Sequence, residues 1–162
     1  MQWRDTGLGF GIVTIILHWI GAGALITFYV LDAARLGGWT AAETCWPVVA
    51  LAAAGISAFR LFWRYLWHHP LPLPGVAPLS VLLARAVAIA LLLSGVILPL
   101  LGWAEFYRGP EGVAGGTLRL LHRLGLLAAI LGLALHVAGG LRQQFMLRNR
   151  ALSRLLGARV EL

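Results

Sequence analysis

The chain contains no lysine, one cysteine and only six acidic residues in 162 positions. Charged residues make up 12% of it, roughly half the share that covers the surface of a soluble domain. So little charge excludes a water-soluble globule of this size. With 60% of residues hydrophobic, a disordered chain is excluded as well. Cys45 has no second cysteine to pair with, so no internal disulfide can form. No phosphate-cradling glycine loop, Ser-His-Asp arrangement or pair of carboxylates is visible. Glu105 and Glu111 read as loop residues without a partner.

What is present is hydrocarbon in long runs, with a mean hydropathy of +0.84. A membrane crossing needs about 20 apolar residues, and four segments supply them. They run from Phe10 to Leu31, Thr44 to Trp67, Leu79 to Trp103 and Thr117 to Leu141. Gly37-Gly38, the proline-rich stretch from His69 to Gly75, and the Gly109-to-Gly112 segment interrupt them. The first run is too long for a signal-peptide core and no small-residue cleavage site follows it, so it reads as a retained helix. The expectation is an all-α integral membrane protein, a four-helix bundle forming a single membrane domain, with a basic tail from Arg142 to Leu162.

All thirteen basic residues are arginine, and the net charge is +7. Such an excess could indicate nucleic acid, but the arginines cluster beside the apolar runs, where they meet lipid headgroups. No nucleic-acid partner is expected; membrane lipid is. Nine arginines flank the two termini and the loop between the second and third spans, against four in the other two loops. The positive-inside rule then places both termini in the cytoplasm. The excess of Ala, Gly, Leu and Arg suggests a bacterial source, and so an inner-membrane location.

Three of the five histidines, His18, His122 and His136, lie on or beside a span, and an ionisable side chain there is a functional candidate by default. His122 and His136 are fourteen positions apart, so they share one helix face about 21 Å apart along the axis. Ala129 lies midway, and Gly125, Gly132 and Gly139 form a series beside them. Gly11, Thr14, His18 and Gly21 form a similar stripe on the first span. Two readings remain open at this point. Imidazoles from facing helices can hold a haem iron, with small residues leaving space for the macrocycle. Glycines at seven-residue spacing also serve close helix packing in lipid, with each histidine simply bonded to a neighbour. His18 and His136 fall at matching depth in the cytoplasmic half.

The chain resembles the bacterial cytochrome b561 family, small four-helix cytochromes related to hydrogenase cytochrome b subunits. The carriers are the opening Met-Gln-Trp-Arg-Asp-Thr, Leu17-His18-Trp19, Arg60-Leu-Phe-Trp-Arg64, the proline-rich loop after it, Leu98-Pro-Leu-Leu-Gly-Trp103, and His122 with Leu135-His136-Val137. Their order covers nearly the whole chain. The resemblance implies two b haems stacked across the bilayer, one held by His18 and His136. The other would use His122 and a span-two histidine, but that place is occupied by Trp46, which is not an iron ligand. A further span-three histidine of many members is also absent, with Ala88 near its place. Cys45, next to Trp46, points about 100° away and reads as a buried thiol. Otherwise His122, flanked by Arg119 and Arg123, is an interfacial residue facing headgroups or water.

Arg60 is then a candidate partner for a haem propionate, while Arg64 suits snorkelling to headgroups and Arg85 suits either role. His68-His69 make a weak metal site. The tryptophans near span ends, Trp3, Trp39, Trp63, Trp67 and Trp103 among them, read as an interfacial belt. Together these imply one-electron transfer linked to the quinone pool or a redox protein, through one bis-His haem b on the cytoplasmic side. The alternatives are a superoxide:quinone oxidoreductase with two haems, and a haemless anchor or assembly subunit of a larger membrane complex.

Overall fold

The computed structural model describes residues 3–6, 9–67, 76–108, 112–148 and 151–156. The His68-His69 pair, the proline-rich stretch and Glu111 lie outside them. Four long helices dominate: α1 Ile12–Leu36, α2 Thr40–Leu66, α3 Pro78–Arg108 and α4 Gly112–Leu141. A π-helical turn, Arg142–Met146, and a short helix α5, Ala151–Leu155, follow. At 1.5 Å per residue the four helices measure roughly 37 to 47 Å, more than the ~30 Å of a hydrocarbon core. All four are long and apolar enough to cross a membrane. The fold is an all-α four-helix arrangement, and the chain is a multi-pass membrane protein.

The helices outrun the apolar segments that announce them. α1 continues through Asp32 and Arg35, and α3 through Glu105. These charges lie inside the helices because neighbouring helices pair them, so the backbone has no reason to stop where hydrophobicity does. Glu105 is therefore not an unpartnered loop residue.

Helices adjacent in the chain pack against one another, whereas α1 and α4 meet along a slighter seam. Each helix turns one periodic face inward. On α1 that face is Gly21, Leu25, Phe28, Tyr29 and Asp32; on α2 it is Ala42, Trp46, Ala50, Ala53 and Ser57. Leu98 of α3 and Leu126 and Ala129 of α4 complete the apolar core. Outward positions such as Val48, Leu51, Leu82, Leu127 and Leu131 carry exposed hydrocarbon, as lipid contact requires. Cys45 is exposed on this outer surface, not buried.

Residues 3–6 close over the start of α1. The Gly11 N–H donates to Asp5 Oδ1 at 2.7 Å, and the Arg4 guanidinium lies 4.1 Å from the Trp67 ring centre. Trp3 and Trp39 are well exposed near helix ends, as a belt requires. Trp46 is the exception among the tryptophans, with 1% exposure at the centre of the packing.

Two glycines separate packing from open surface. A Cβ at Gly95 would overlap Ser57 Oγ and come within 2.5 Å of Leu25 Cδ2, whereas one at Gly55 meets nothing within 4 Å. Gly95→Ala is expected to destabilise the bundle by about 1–3 kcal/mol. Gly55→Ala should leave stability unchanged or raise it by up to about 1 kcal/mol. Thermal unfolding in detergent, followed by circular dichroism, checks both.

Candidate functional site

Polar groups gather at the two ends of the apolar core. One end lies toward the chain termini and holds His18, His136 and Arg60. The other lies toward the α1–α2 turn and holds Asp32, Trp46, Glu105 and His122.

At the terminal end, His18 of α1 faces His136 of α4 across the seam. Their ring centres are 6.4 Å apart with the planes inclined by 43°. Arg60 continues the buried face of α2, three residues past Ser57, and places Nη2 3.3 Å from His18 Nδ1. Its guanidinium lies against Gly21, where a Cβ would stand 2.6 Å from Nη1. One turn further out, Trp63 Nε1 donates to Thr14 Oγ1 at 3.0 Å. The structure thus brings His18, His136 and Arg60 together. Arg64 is half-buried nearby, and Arg85 is exposed.

These residues can be tested against a haem iron. Two imidazoles bound to one metal from opposite sides, each nitrogen at ~2 Å, hold their ring centres about 6.3 Å apart. The observed 6.4 Å fits that span. Arg60 must yield in one respect. A guanidinium only donates, so its contact with Nδ1 requires that nitrogen unprotonated, whereas an imidazole bound through Nε2 carries its proton on Nδ1. The Arg60–His18 contact and Nε2 ligation are therefore alternatives, and moving Arg60 off the ring frees its charge for a carboxylate.

The glycine series of α4 has a separate explanation. Gly125 lets Leu98 of α3 approach to 2.8 Å of where a Cβ would be, and Gly132 meets Leu91 at 3.6 Å. These two glycines seat α4 on α3, as small residues do between membrane helices. The inward positions between the histidines belong to Leu126, Ala129 and the partly buried Leu133.

The opposite end is a closed cluster of charge. His122 and Asp32 are both 0% exposed, so His122 is not an interfacial residue facing water. Its Nε2 lies 2.8 Å from Asp32 Oδ2, an ion-pair contact whose angles fall outside hydrogen-bond geometry. Its Nδ1 lies 3.0 Å from Glu105 Oε2. Trp46 Nε1 donates to Asp32 Oδ1 at 2.8 Å. Arg35 Nη2 reaches the same oxygen at 3.2 Å and approaches Glu105 Oε2 at 3.9 Å. The Arg35 guanidinium also lies 4.6 Å from the Trp46 ring centre. Arg119, 41% exposed, closes the cluster with Nε 3.0 Å from Glu105 Oε1.

This end does not fit a second haem. Trp46, which the resemblance would align with a span-two ligand, packs so tightly on Gly102 that no Cβ could be added there. Both ring nitrogens of His122 already face carboxylates. The apolar runs stop short of Asp32 and Glu105, although each continues an inward face: Gly21, Leu25, Phe28 and Asp32 on α1, and Leu91, Gly95, Leu98, Gly102 and Glu105 on α3.

No protein-family model matches the chain, and no curated protein matches it.

Removing one member of a buried ion cluster leaves the others uncompensated. Asp32→Ala is expected to lower stability by about 3–5 kcal/mol. Arg119→Ala, at a half-exposed site, should cost at most about 1 kcal/mol. Denaturant titration of tryptophan fluorescence in detergent compares the two.

Proposed function

We propose that this chain is a membrane b-type cytochrome that carries single electrons and exchanges them with membrane quinone or a redox protein. The observation that carries the reading is the His18–His136 pair, two imidazoles from different helices at the separation that one axially ligated iron requires. His18 and His136 would hold the haem, and Arg60 would move to a propionate. The haem supplies a one-electron couple. With two imidazoles of the chain holding it, the group would carry electrons rather than bind substrate. The chain's own part is to orient the imidazoles, exclude water with the apolar core and set the potential through burial.

The arginine distribution supports a bacterial inner-membrane location with the termini and this pair on the cytoplasmic side. Among the described residues the other end of the bundle offers no second ligand pair, so in this reading electron exchange is confined to one half of the bilayer. That favours quinone-linked transfer over superoxide oxidation from the far surface. A second reading, a haemless anchor subunit, draws on the Arg60–His18 contact, which ties the ring without a metal.

Reduced-minus-oxidised absorbance of the purified chain, expressed with haem supplied, separates the two. Wild type should show a six-coordinate b-type spectrum, and His18→Ala or His136→Ala should each lose it. A spectrum that survives both substitutions would overturn the ligand assignment. No spectrum in the wild type would leave the anchor reading.

A further inference from the structure

The Asp32–His122–Glu105 cluster has no part in electron transfer as proposed, and its proton count is unresolved by its own geometry. Two carboxylates, Asp32 and Glu105, face two guanidiniums, Arg35 and Arg119, so the cluster is neutral with a neutral imidazole. Yet the ring faces a carboxylate oxygen from each nitrogen, at 2.8 and 3.0 Å. A neutral imidazole has one N–H and can satisfy only one of them. Hydrogen bonding asks for a second proton between the three groups, and electroneutrality asks for its absence. Asp32 Oδ2 and His122 Nε2 are both fully buried without an aligned hydrogen-bond partner.

We propose that this cluster is a proton-binding site, exchanging one proton with water on the side of the α1–α2 turn, with His122 as the group that holds it. Buried acid–imidazole chains within membrane helices are the usual carriers of protons. A proton from water reaches Glu105, the carboxylate next to half-exposed Arg119. The Glu105 carboxyl gives it to Nδ1, and the ring, still carrying a proton on Nε2 toward Asp32 Oδ2, becomes an imidazolium between the two carboxylates. One proton enters and stays on the ring, and it leaves again through Glu105 when the site is deprotonated. Among the described residues, the charged groups around the ring are Asp32 and Arg35 from α1, Glu105 from α3 and Arg119 from α4. The α2 side presents the Trp46 indole, whose N–H holds Asp32 Oδ1 and leaves Oδ2 for the ring.

The site ends at Asp32. Further along the inward face of α1 come Tyr29, whose hydroxyl is 2.6 Å from Ser94 Oγ, and then Phe28, Leu25 and Gly21. The site is therefore open to one side and is not a path across the membrane. It stands independently of haem binding at the other end.

Nitrogen NMR of ¹⁵N-histidine-labelled full-length protein in nanodiscs tests the proposal. The His122 ring is assigned by difference against single His→Gln variants at the other four histidines. Between about pH 4 and about pH 9, the His122 nitrogens are expected to move reversibly between neutral and cationic shifts. Asp32→Asn and Glu105→Gln, which keep shape and remove one facing charge, should each require about tenfold more protons to reach the midpoint. A ring that keeps one protonation state throughout the range in wild type would overturn the proposal and leave a fixed ion cluster. So would a midpoint that neither substitution moves while both variants keep the wild-type helix content.

Discussion

Asp32 is a carboxylate with no exposed surface, inside a bundle whose outside is hydrocarbon. Burying such a group alone is prohibitive, and it is tolerable only when donors converge on it from its neighbours. They come from three helices: Trp46 from α2, His122 from α4 and Arg35 from its own α1. Glu105 of α3 then binds the far side of His122, so every helix of the bundle is tied to one carboxylate. Apolar packing in lipid gives little preference for one helix arrangement over another, because lipid tails are as apolar as leucine. A cluster of this kind supplies that preference, since any other rotation of α1 or α4 would strand a charge.

The remaining architecture follows from that anchor. Asp32 and His18 lie fourteen residues apart on one face of α1, about 21 Å along the axis. Once Asp32 is directed inward, His18 is directed inward too. The same relation holds on α4, where His122 and His136 are again fourteen residues apart. The two helices thus deliver His18 and His136 to each other at the opposite end. Between the ends, Leu25, Phe28, Ala50, Ala53, Leu98 and Leu126 form the dry middle. A polar pair suited to a metal and a polar cluster suited to protons are held at separate ends of one frame.

Much of this frame was legible in the residues. Four apolar runs specify four helices, and the fourteen-residue spacing places His122 and His136 on one face. What was not legible has a common cause. Spans were bounded where hydrophobicity stops, so Asp32, Arg35 and Glu105 fell into presumed loops, although the 3.6-residue period carries each inward. Helix ends follow the pairing of charges, and pairing between α1, α3 and α4 is a tertiary fact. Trp46 stood out in the second span, but its bond to Asp32 required the fold. The glycines of α4 suggested space between histidines, whereas Gly125 and Gly132 receive leucines of α3.

The proposed cytochrome rests on one end of the bundle accepting a haem and the other refusing it. The most direct measurement is haem per polypeptide on protein purified after expression with haem supplied, by pyridine haemochrome against quantitative amino-acid analysis. One haem per chain is the expected result. Two per chain would mean that His122 leaves its carboxylates for iron, and none would mean that His18 and His136 meet for packing alone; either would contradict a single site between α1 and α4.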